Sequence, residues 1–147
     1  MVTMVSLATL LMQSPGVPEA CPVTAPNGVQ VPAGATRNSH GNDALVTALW
    51  PGGTITFRPG GPGFVLADGA LSMKFGWWRL RPGRLRIEGR RLDGAAPPLR
   101  ASIPDGYGDT GFQASGVIFP TPGCWEVTGR VADSRLTFVT RVEKVPR

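Results

Sequence analysis

Cys124-Trp-Glu-Val-Thr-Gly-Arg-Val131, the link Ala132-Asp-Ser134, and Leu136-Thr-Phe-Val-Thr-Arg-Val142 form the stretch on which the fold turns. Trp125, Val127 and Val131 fall on one side of the first segment. Leu136, Phe138 and Val142 fall on one side of the second. That period of two is what a half-buried strand imposes, and the short polar link makes the two segments a hairpin.

Outward from this hairpin the same signals recur. Phe112–Phe119 reads as a strand closed by Pro120-Thr-Pro-Gly123. Upstream, Ala44–Trp50, Thr54–Arg58, Phe64–Ala67, Ala70–Leu80, Leu85–Leu92 and Pro98–Ile103 are short apolar runs punctuated by glycine, proline and an Asp68-Gly69 turn. Such spacing predicts an all-β protein, an immunoglobulin-like antiparallel β-sandwich of about seven to nine strands. Outside the N-terminal stretch, no window free of Gly and Pro carries a helical stripe. A chain of 147 residues is one domain's length, and its 20 glycines and 15 prolines are dispersed between apolar runs. Dispersed in this way they mark turns, and disorder is excluded.

The N-terminus differs. Met4–Met12 is apolar, short for a membrane span and the right length for the core of a secretory signal, although no Lys or Arg precedes it. Residues 1–20 are therefore read as a leader and 21–147 as a single sandwich domain in a secreted or cell-envelope protein. The two cysteines, Cys21 and Cys124, read most simply as one disulfide. The alternatives are two buried thiols, or a lipid on Cys21. The preceding Pro18-Glu-Ala20 lacks the aliphatic residue that lipidation favours three positions back.

Phe119-Pro-Thr-Pro-Gly-Cys-Trp-Glu-Val-Thr-Gly-Arg-Val131 with Leu136-Thr-Phe-Val139 resembles the last two strands of bacterial immunoglobulin-like domains. With His40-Gly-Asn42, Lys74-Phe-Gly-Trp-Trp78 and Gly106-Tyr-Gly-Asp-Thr-Gly-Phe-Gln113, residues 21–142 are similar to uncharacterised secreted proteins and lipoproteins of bacteria. The resemblance implies fold and location and carries no activity.

Charge is concentrated. The net charge is +5, yet Lys74–Arg91 alone carries seven cations against Glu88, so the rest of the chain sums to −1. Trp77 and Trp78 lie in this segment, and adjacent residues of a strand point to opposite faces. An outward ring beside Arg79, Arg81 and Arg86 would stack on a sugar or base while the guanidiniums hold an anion. The plainer alternative is a solvated strand pair whose arginines deter edge-to-edge association.

Other motifs are weaker. Gly106-Tyr-Gly-Asp-Thr-Gly111 matches a dinucleotide fingerprint in letters, but a strand-like run follows it where a helix is required. It reads as a wide turn, with Tyr107 positioned to anchor it through its hydroxyl. Asp105 and Asp109 are too few for calcium, and the lone His40 lacks zinc partners. No cofactor, metal or nucleotide is expected. The first functional reading is a non-enzymatic extracytoplasmic module binding an anionic polymer, glycan or envelope protein through a Trp77–Arg91 hairpin. The second is a small hydrolase or metal-dependent enzyme using His40 with loop carboxylates, and the third is a structural accessory domain without a ligand.

Overall fold

The fold is seen in a computed structural model that describes residues 20–31 and 37–146. The apolar leader lies outside the described residues. Among the described residues ten strands follow in chain order: β1 (Ser39–Gly41), β2 (Leu45–Ala48), β3 (Thr54–Phe57), β4 (Phe64–Val65), β5 (Leu71–Arg79), β6 (Arg86–Arg91), β7 (Arg100–Ser102), β8 (Gly111–Phe119), β9 (Gly123–Val131) and β10 (Ser134–Lys144). Nine coincide with runs marked out by the sequence pattern. The tenth, β1, lies upstream of those runs, at Ser39–Gly41. It forms because the Asn42 side-chain oxygen accepts the N–H groups of Ala44 and Leu45, both at 2.9 Å, and turns the chain back onto β2.

The strands make two packed sheets. One runs β1-β2-β5-β8-β7, with β4 added beside β5; the other runs β3-β10-β9-β6. Every pairing is antiparallel except β3 with β10, which run parallel with Thr54 opposite Arg141. The alternation read from the sequence is the one observed. Trp125, Val127 and Val131 of β9 and Leu136, Phe138 and Val142 of β10 all lie in the core. Facing them, Met73, Phe75 and Trp77 project from β5. Phe75 is the hub of the packing, stacked on Trp50 at 4.5 Å and edge-on to Trp77 at 5.2 Å and Phe138 at 5.5 Å. Gly129 of β9 is the floor for Trp77, since a Cβ there would stand 2.5 Å from the indole.

Both open sides of the sandwich are closed. On one side the Leu99 N–H donates to the Gly89 carbonyl at 3.0 Å, linking the approach to β7 with β6. On the other, an N-terminal strap crosses from sheet to sheet. Cys21 is disulfide-bonded to Cys124 of β9. Thr24 exchanges two hydrogen bonds with Val139 of β10, and the Asn27 side chain grips both the N–H and the carbonyl of Gly41 on β1.

Asp93 fixes the start of β9. Its carboxylate accepts the Arg91 Nε–H at 2.8 Å and the Cys124 N–H at 2.9 Å, and these bonds hold its pKa below the usual carboxylate value. A depressed folded-state pKa contributes stability above the carboxylate range and loses it as pH falls through that range. Asp93→Asn is therefore expected to lower the denaturant midpoint more at pH 7 than at a pH below the carboxylate range, where the native Asp93 takes up its proton. An equal loss at both pH values would remove Asp93 from this role.

Candidate functional site

The expected hairpin from Trp77 to Arg91 does not form. Pro82-Gly83 carries the chain from one sheet to the other, and β5 and β6 pair with different partners. Alternation then assigns the side chains. Trp77 is 0% exposed in the core, while Trp78 is half-buried on the outer face of the six-stranded sheet. Arg86 is exposed on the outer face of the four-stranded sheet. The ring and this arginine thus face opposite sides of the sandwich. One in, one out holds for the two tryptophans; one continuous basic and aromatic surface does not.

Arg79 is also displaced from the expected set. It shares the parity of Trp77, and its side chain is buried at 2% exposure. Its Nη1 donates to the carbonyls of Gly83 at 3.0 Å and Gly108 at 2.9 Å, and its Nη2 to those of Tyr107 at 3.0 Å and Thr110 at 3.3 Å. A guanidinium is weakly hydrated and presents a planar fork of donors, which suits it to burial among carbonyl dipoles. The loop oxygens that a calcium ion would use converge instead on a cation supplied by the chain. Asp105 lies against Arg84 at 3.8 Å, with both side chains exposed. Gly106, Gly108 and Gly111 take positive φ, as the wide-turn reading requires, and the run enters β8 directly. Arg79 anchors this turn in place of Tyr107, whose ring packs on Phe112.

His40 is far from the loop carboxylates. Register places His40, Thr47, Trp77 and Gln113 in one row across β1, β2, β5 and β8. Three strand spacings, about 14 Å, separate His40 from the strand that the loop enters. Burial holds His40 below its ordinary pKa, and its Nδ1 has no hydrogen-bond partner among the described residues. Among the described residues no three His, Cys, Asp or Glu side chains gather as a metal site, and no helix is long and apolar enough to cross a membrane.

The outer face of the six-stranded sheet carries a cluster that the sequence did not announce. Phe112 stands opposite Trp78 in the β5–β8 register, with ring centroids 5.3 Å apart, and Tyr107 adds a third ring 5.9 Å from Phe112. Phe112 is 45% exposed and Tyr107 39%. Gly76 makes room for this arrangement, because a Cβ there would meet the Phe112 ring at 2.7 Å. Next to the rings Gly76 is opposite Ala114 and Gly116 lies between exposed Lys74 and Ser102, while further along the same face carries Ile118, Arg100 and exposed Phe64. Arg81, the other expected ligand cation, is paired with Asp43 at 2.9 Å and stays at the surface. Only the strand pairing brings Tyr107 and Phe112 to Trp78, so spacing along the chain could not have selected them.

No protein-family model matches the chain, and a search of curated proteins finds no significant relative.

Proposed function

We propose that the protein is a non-enzymatic extracytoplasmic binding module that holds a glycan against the outer face of its six-stranded sheet. The observation that carries this reading is the contiguous Trp78–Phe112–Tyr107 cluster, exposed on a face where the neighbouring side chains are small. A pyranose has an apolar C–H face and a polar rim. Rings that combine an apolar body with a polar tip suit such a ligand, and the Tyr107 hydroxyl and Lys74 ammonium supply polar groups at the edge. Lys74 favours sugars bearing a carboxylate.

The Cys21–Cys124 disulfide, a bond that persists in oxidising compartments, supports the extracytoplasmic location. The strand orders favour an immunoglobulin-like assignment. β2-β5-β8-β7 and β10-β9-β6 repeat the ABED and GFC orders of those domains, with β3 added beside β10.

Titration against neutral and uronic-acid-containing oligosaccharides tests the reading. Trp78→Ala is expected to weaken binding by about 30-fold or more, the effect of losing a central aromatic anchor. Tyr107→Ala should weaken it less, as the more peripheral ring. Failure of every oligosaccharide to bind, or equal affinity in both variants, would refute it.

A further inference from the structure

The opposite face of the sandwich carries an arrangement that the glycan reading leaves unused. Arg86 on β6 is directly opposite Arg130 on β9, and Arg130 is directly opposite Arg135 on β10. All three belong to the outward-facing set of their strands. Adjacent strands are about 4.8 Å apart, so the row of three cations spans about 10 Å across the sheet. Like charges directly opposite one another oppose sheet formation. Arg130 is offset by an ion pair with Glu88. Among the described residues Arg86 and Arg135 have no acidic partner.

One rung along, Thr128 and Thr137 share a hydroxyl hydrogen bond of 2.8 Å. They line one groove with Arg130 and Arg135, bounded at its far end by the Arg90–Glu126 pair. Two guanidiniums without acidic partners, a third fixed between them, and neutral hydroxyl donors beside them match a row of phosphate oxygens. No outward residue of this row or of the two rungs beside it (Glu88, Arg90, Glu126, Val139) carries an aromatic ring. The surface therefore reads a charged backbone and offers nothing for a base to stack on.

We infer that the outer face of β6, β9 and β10 is a second binding site, for a linear polyol phosphate, a phosphodiester polymer without bases. Arg86 and Arg135 each neutralise a phosphate, Arg130 stays paired with Glu88 and donates between them, and the ligand lies across the strands. The site is independent of the glycan face: the two share no residue and point in opposite directions.

The test is titration of the full chain with poly(glycerol phosphate), with charge-matched single-stranded DNA as comparator. Two net phosphate contacts predict a log affinity that falls with log salt at a slope of about −1.4, or roughly sevenfold between 50 and 200 mM salt. Arg86→Ala with Arg135→Ala is expected to weaken binding at least tenfold at the lower salt and to bring the slope close to zero, because Arg130 stays paired with Glu88. Lysine at both positions should retain the slope, because charge is conserved, and Trp78→Ala should bind like the native chain. The inference is overturned by absence of binding at the lower salt. It is equally overturned by indifference to the alanine pair, or by tighter binding of DNA than of the polyol phosphate.

Discussion

Replacement of Arg79 by leucine is expected to destabilise the domain by about 3–5 kcal/mol, the scale for removing one partner from a buried charged network. Four carbonyls lose their donor at once, and each that stays buried and unpaired costs about 1–3 kcal/mol. The loop is exposed, so some of these oxygens turn to water and the total falls well short of the sum. For a domain of this size the melting temperature should drop by roughly 10–20 °C. Arg79→Lys tests the geometry. An ammonium offers three donors from one point and cannot hold both the Gly83 turn and three oxygens of the glycine loop. It should recover less than half of the loss, and amide exchange in residues 105–111 should accelerate in both variants. A leucine variant melting within about 2 °C of the native chain would remove Arg79 as the anchor.

The second large effect is expected at the disulfide. Cys21 and Cys124 are separated by 103 residues, and closing so long a loop restricts the unfolded chain by about 4–5 kcal/mol in the entropy model. Replacing both by serine should cost about 2–5 kcal/mol, the range found for native bridges in small secreted domains. The bond also secures the strap that closes one side of the sandwich, so the variant should be cleaved by protease within residues 21–31 before the core is lost. Two thiols freely alkylated in the native, unreduced protein would contradict the bridge. So would a serine pair with an unchanged urea midpoint.

The sandwich was legible because its strands alternate cleanly and its breakers are strong. Apolar residues at every second position fixed which side of β9 and β10 faces inward before any pairing was known. The position of Arg79 was also available. Met73, Phe75, Trp77 and Arg79 share one parity, and the bulk of the first three marks that side as core. What hid it was the ordinary expectation that arginine faces water. The hairpin error has another cause. A Pro-Gly turn between two alternating segments looks the same whether the chain returns within a sheet or crosses to the facing one. The choice is made by contacts far along the sequence, here β8 for β5 and β9 for β6. The arginine row and the three-ring cluster were illegible for the same reason. Arg86, Arg130 and Arg135, like Trp78 and Phe112, become neighbours only through register.

The parallel pairing of β3 with β10 constrains the order of assembly. The Thr140 hydroxyl meets the Gly53 carbonyl 87 residues earlier in the chain, Thr54–Phe57 pair with Arg141–Lys144, and the Phe57 carbonyl accepts the Val145 N–H. While the chain emerges from a ribosome or a translocation pore, β3 waits with its edge open, and no local turn can complete it. Cys124 emerges before β10, so the bridge to Cys21 is able to close while β3 and the strap still lack their strand. Oxidation at that stage holds the two ends of a long loop together and shortens the search that the final strand must make. The late arrival of β10 then supplies the partner that β3, the hairpin and the strap all share.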